Sequence, residues 1–139
     1  MTPAHWSLHP QLAADTIAIG DLSLSRVLLI NDANYPWLLL VPRHPDVSEI
    51  IDLGSDEQLL LMSEVARVGT ALKSLTRCDK LNVAALGNVV PQLHVHVIAR
   101  YRGDPAWPRP VWNAVPARAY EERALDELVD RVRDALRLA

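Results

Sequence analysis

The 139-residue chain has a single cysteine, Cys78. One thiol can make neither an intramolecular disulfide nor a thiolate metal cluster, so a reducing cytoplasm suits the protein and its core must hold the fold. Long apolar runs are also missing. Those present are far too short to span a bilayer, and the start Met1-Thr2-Pro3-Ala4-His5-Trp6 lacks the basic residues and continuous apolar stretch of a secretory signal. A cytoplasmic protein with no membrane partner is expected. Neither sign of charge dominates, because the formal net charge is only −3. No global attraction to nucleic acid follows, and any phosphate must be recognised locally. Internal repeats, low-complexity tracts and polar linkers are absent, so residues 1–139 read as a single domain. What the chain does have is apolar residues, half of the total, enough for one core.

Their pattern runs strands, helix, strands, tail. Thr16 to Gly20 and Leu24 to Ile30 are β-rich and joined by the turn residues Gly20-Asp21. After Asn31-Asp32-Ala33-Asn34-Tyr35-Pro36, Trp37 to Val41 is uninterruptedly apolar, as a central buried strand requires. Ser55-Asp56-Glu57-Gln58 has the spacing of a capping box, and Leu61, Val65, Val68, Leu72 and Leu75 continue one apolar stripe to about Arg77. A long helix is predicted there. Lys80 to Leu86 returns to strand character, Gly87-Asn88 turns the chain, and Gln92 to Ala99 forms the last strand. Four prolines keep Arg100 to Pro116 extended. Pro116 then sits just before a second helix, whose apolar stripe is Leu125, Leu128, Val129, Val132 and Leu136.

In the last strand, alternation puts Gln92, His94 and His96 on one face and Leu93, Val95 and Val97 on the core side. Neighbours on a face stand roughly 7 Å apart, so two imidazoles can reach one phosphate-sized group. Three readings are open: an exposed polar face without function, a metal site, and phosphate chemistry in which one imidazole attacks phosphorus while the other donates to oxygen. The metal site needs further ligands, for which His44, Asp46, Glu49 and Asp104 qualify by type but not by spacing.

The stretch Val89-Val90-Pro91-Gln92-Leu93-His94-Val95-His96-Val97-Ile98-Ala99-Arg100 resembles the signature of the histidine triad superfamily, three histidines alternating with apolar residues. Leu28 to Asp32, Leu39 to Pro42 and Leu81 to Asn88 resemble the family's successive strands, and Asp104 to Trp112 resembles the tail of a bacterial branch with the Gln-Leu-His-Val-His variant. The resemblance implies an α+β fold: about five mainly antiparallel strands with the long helix packed on them, and the C-terminal helix alongside. It implies a homodimer with the sheets extended across a symmetric interface.

It also implies a nucleotide or nucleotide conjugate as the small-molecule partner, attacked at the α-phosphate with no cofactor and no metal. His94 falls on the nucleophilic histidine and His96 on the third, while Gln92 replaces the first. An amide hydrogen-bonds but carries no proton near neutral pH, so a noncatalytic nucleotide-binding module is the alternative to a hydrolase or transferase. Asn31 or Asp32 corresponds to the ribose contact, Asn82 and Asn88 to polar groups near the phosphate. Arg100 faces phosphate or caps the sheet edge; Trp107 and Trp112 wall a base pocket or anchor the tail. Where family members carry Gly-His or Thr-His, this chain has Pro36-Trp37, so no functional histidine is expected there.

Overall fold

The computed structural model describes residues 5–138. The first four residues, on which the expectation about a secretory signal partly rests, lie outside that range. A short helix α1 (Pro10–Asp15) leads into the hairpin β1 (Thr16–Asp21) and β2 (Ser25–Ile30), then β3 (Trp37–Pro42). A 3-10 turn (Ile50–Asp52) precedes the long helix α2 (Ser55–Thr76), followed by β4 (Lys80–Ala84), β5 (Val95–Arg100) and α3 (Glu122–Ala135). The strands form one sheet in the order β1-β2-β3-β5-β4, with every neighbouring pair antiparallel. The α+β fold with five strands is as the sequence predicts, and Trp37 begins a central strand buried at every position.

The helix α2 carries the expected stripe, with Leu61, Val65, Val68 and Leu72 buried and Leu75 partly so. They cover one sheet face by packing on Val27, Leu29, Leu38, Leu40, Val95 and Val97, and Val132 and Leu136 of α3 complete that core. Burial of each large aliphatic side chain there contributes about 1.5–3 kcal/mol. Glu64 is buried on α2, where its carboxylate accepts the backbone N–H groups of Leu24 and Ser25 at 2.8 and 2.9 Å. That pair of charge-assisted bonds fastens the helix to the hairpin. Among the described residues, no helix is long and apolar enough to cross a membrane.

Several boundaries differ from expectation, each because a competing bond wins. Gly54, not Ser55, is the N-cap of α2, and the Gln58 amide donates to the Leu53 carbonyl, so no Ser55–Gln58 capping box forms. The box sits one turn upstream, where Glu49 and Asp52 cap the 3-10 turn reciprocally. β4 stops at Ala84 rather than Leu86, and β5 begins at Val95 rather than Gln92, because only Val95 to Ile98 finds partners on β3. The helix α3 starts six residues after Pro116. The intervening stretch is held along the end of β2 by Ala33 N–H to the Arg118 carbonyl, and by Tyr120 N–H to the side chain of Asn31.

The second face of the sheet is also covered. Leu28, Leu39, Val41 and Ile98 pack under Trp6, Leu12, Ala106 and Val111, contributed by the N-terminal segment and by the proline-rich tail. The face that alternation marks as polar is therefore roofed, and strand β5 is buried at all six positions.

Candidate functional site

His94 immediately precedes β5 and His96 lies within it; their rings stand 5.0 Å apart, tilted by 66°. Both residues are nearly enclosed, at 7% and 6% exposure. A buried imidazole must find partners for its two nitrogens, and these differ in a way that assigns the protons. His94 Nδ1 lies 2.7 Å from the backbone carbonyl of Gln92. A carbonyl only accepts, so Nδ1 carries the hydrogen and the neutral ring keeps a lone pair on Nε2. His96 Nδ1 faces Trp37 Nε1 at 3.0 Å. An indole N–H only donates, so here Nδ1 holds the lone pair and the hydrogen sits on Nε2. The two rings are thereby set in opposite tautomers, one Nε2 a nucleophile or base and the other a donor.

The surroundings keep His96 neutral. Burial, and secondarily the nearby His94, lower its pKa to about 4. Trp37 and Trp112 pack on it with ring centres at 5.7 and 5.1 Å, Trp112 edge-on at 85°. The register explains Trp37: pairing of Trp37 with Ile98 and Leu39 with His96 puts all four on one face. Nothing in the sequence except that indole at a strand start signalled the contact. His94 instead lines a cavity of about 200 Å³ with Ser48, Glu49, Ile50 and Ile51 on one side, and Leu86 and Gly87 on the other. Ser48, Ile50 and Ile51 carry no signal in the sequence that links them to His94, and Glu49 stood out there only as a metal-ligand type. Gly87 adopts φ 74°, a left-handed turn that returns the chain from β4 towards the histidines.

Other predicted residues are placed elsewhere. The Gln92 side chain does not share the histidines' surroundings. Its Oε1 accepts from His9 N–H at 2.8 Å and its Nε2 donates to the Ser7 carbonyl at 2.9 Å. His9 also caps α1 by accepting Gln11 N–H on its Nδ1 at 3.0 Å. Asn31 accepts Tyr120 N–H at 2.9 Å, and buried Asp32 accepts the N–H groups of Asn34 and Arg118 at 3.0 and 3.3 Å. Asn88 is exposed beyond Gly87.

Arg100 is at the opposite extreme from a phosphate ligand. It is 1% exposed and makes a two-point pair with Asp104 at 2.7 and 3.1 Å. It further donates to Asn82 Oδ1 and to the Arg109 carbonyl, both at 2.8 Å. Burial alone would raise the Asp104 pKa, but the Arg100 bond and the N–H groups of Tyr101, Trp107 and Ala106 overcome it and hold the carboxyl near 2. Asn82 is therefore engaged with Arg100, and Trp107 packs against the same guanidinium, 5.7 Å from its ring centre, as an anchor of the tail. Of the metal candidates, Asp104 is occupied by Arg100, and His44 Nε2 lies 3.6 Å from Glu57. Among the described residues no three His, Cys, Asp or Glu side chains converge as metal ligands would.

Against known proteins, the HIT domain family matches residues 11–103. Three solved bacterial structures cover nearly the whole chain. A histidine triad protein from Bradyrhizobium japonicum is 58% identical, with 95% of this chain and 98% of that one covered at a TM-score of 0.93. One from Marinobacter aquaeolei is 44% identical, covering 98% and 100% at 0.93, and one from Sinorhizobium meliloti is 42% identical, covering 94% and 96% at 0.91. No match was found among curated proteins.

Proposed function

Since the chain belongs to the HIT (histidine triad) domain family, whose membership supports a nucleotide-directed role in general terms, we propose that it is a nucleotide hydrolase or nucleotidyl transferase working through His94. The observation that carries this reading is the pair of opposite tautomers. His94 Nε2 attacks the α-phosphorus, forming an N–P bond as the bond to the leaving group breaks and its electron pair departs with that group. His96 Nε2–H donates to a nonbridging oxygen, whose negative charge grows in the transition state. Water then attacks phosphorus, the N–P bond breaks with its electron pair returning to Nε2, and the water's proton passes to solvent as the nucleoside monophosphate leaves; another hydroxyl acceptor in place of water makes the reaction a transfer. A buried, neutral His96 keeps its donor across physiological pH, and the chemistry calls for no metal or cofactor.

A noncatalytic nucleotide-binding module is the second reading, favoured by one observation. Asn31 Oδ1 and Asp32 Oδ1, at the ribose-contact positions by resemblance, already accept backbone N–H groups, of Tyr120 and of Arg118 respectively. The test is a covalent trap. Protein mixed with an adenosine phosphoramidate and quenched in alkali should gain one nucleotidyl mass, lost in His94→Ala; reversible binding with no adduct in the wild type leaves the binding module. The same turnover should survive a chelator, whereas activity restored only by zinc would point to metal chemistry.

The homodimer belongs to this proposal. β4 is one of the sheet's two edge strands, and Val83, Leu86, Leu59, Met62 and Ile51 near it and on α2 are exposed large apolar side chains. An unpaired edge beside such a surface suits a second copy extending the sheet. Sedimentation at micromolar concentration should give twice the chain mass, and a Val83→Lys variant should shift it to one.

A further inference from the structure

The amide of Gln92 is held at both ends by backbone, His9 N–H on its oxygen and the Ser7 carbonyl on its nitrogen. Exchanging the two ends would set donor against donor and acceptor against acceptor, so the amide has one orientation. The same residue supplies the carbonyl that accepts His94 Nδ1–H. The strap that grips it is itself anchored. Trp6 is buried, with the Arg26 guanidinium 5.1 Å from its ring centre, and His9 leads directly into α1 as its cap. On the other side, Leu93 N–H donates to the Val47 carbonyl at 2.9 Å, fixing the next peptide.

We propose that Gln92 is a positioning residue for His94. The Ser7–His9 strap clamps its amide, the clamp fixes the Gln92 carbonyl, and that carbonyl keeps the His94 proton on Nδ1. The effect on rate rests on His94 being the nucleophile, whereas the effect on the tautomer does not. An imidazole released from its acceptor shares its proton between both nitrogens. Each ring with the proton on Nε2 lacks the lone pair that attacks. Ser7 and His9 both precede residue 11, where the family match begins. The clamp is thus supplied by a segment upstream of the shared domain.

The deciding variant is His9→Pro in the full chain. His9 has φ −54° and ψ 135°, angles that proline adopts, so the substitution deletes the N–H that Gln92 accepts without strain at residue 9. It also deletes the imidazole cap of α1, and His9→Ala, which loses the cap but keeps the N–H, isolates that loss. Nitrogen-15 NMR of imidazole-labelled protein reads the tautomers. The wild type and His9→Ala should show His94 protonated on Nδ1 alone, while His9→Pro and Gln92→Ala should each show a substantial Nε2–H fraction. Unchanged His96 signals would report an intact fold, and either variant alone decides.

With an adenosine phosphoramidate, kcat should fall roughly three- to tenfold, as expected for loss of one orienting hydrogen bond, with KM little changed. A single Nδ1–H tautomer retained in a folded clamp variant would overturn the proposal, as would a shifted tautomer with undiminished kcat. A shifted tautomer in a protein whose wild type neither turns over nor traps nucleotide would keep the clamp and discard the enzymatic reading.

Discussion

The two ends of β5 bury polar side chains on the same sheet face and use them differently. At the start, His94 and His96 each have one nitrogen bonded, to the Gln92 carbonyl and to Trp37, and no described residue partners either Nε2. At the end, Arg100 makes four hydrogen bonds, two to Asp104 and one each to Asn82 and the Arg109 carbonyl. The difference teaches that burial alone does not mark a site. Capacity left over for a ligand marks it, and a group with four of its five donors engaged by the protein belongs to the scaffold.

The largest expected effect tests the first end. His94→Ala should reduce turnover by on the order of a thousandfold or more, as loss of a nucleophile does, while the folded protein persists. Steady-state kinetics beside a melting curve checks it, and a variant that keeps its rate would remove His94 from the chemistry. Arg100→Met should do the reverse. Its side chain and that of Asp104 are 2% and 3% exposed. Removing one partner of such a pair leaves an uncompensated buried charge and costs about 3–5 kcal/mol. Urea denaturation measures that loss, and a nearly neutral result would mean that the two ends of β5 do not differ as described.

Acid should separate the ends further. Because burial lowers the His96 pKa to about 4, the unfolded chain takes up that proton more readily than the folded one. Stability is therefore full above the unfolded value near 6.5 and is lost as pH falls towards 4, with a slope of up to about 1.4 kcal/mol per pH unit. Denaturation between these pH values should show the slope, and His96→Asn should flatten it. The smallest effect is that of Trp37→Phe, which keeps the ring and deletes the N–H that holds His96. Loss of one neutral hydrogen bond, about 1 kcal/mol, should lower kcat about fivefold and leave His96 free to exchange tautomers.

Much of the fold was legible in the residues. The stripe Leu61, Val65, Val68, Leu72 marks α2, and the apolar run from Trp37 marks the central strand, because both patterns follow from periodic burial. Element ends were less legible. The β5 start and the Gly54 cap were settled by hydrogen bonds to residues distant in sequence or by local alternatives of similar energy. Within the site, His94 and His96 could be named from alternation and resemblance. Gln92, Asn82 and Arg100 carried the same resemblance, yet their side chains are tied to Ser7 and His9 or to one another.

By itself, then, the sequence determined the strand and helix pattern, the family to which the chain belongs and the pair of imidazoles on one face, since each depends on spacing within a short segment. Only the tertiary structure decided which nitrogen of each ring carries its proton. That choice depends on Trp37, brought to His96 by strand pairing across 59 residues, and on a Gln92 peptide held by a strap more than 80 residues away. Hydrogen-bond donors and acceptors act at about 3 Å in space, and separation along the chain carries no trace of that distance.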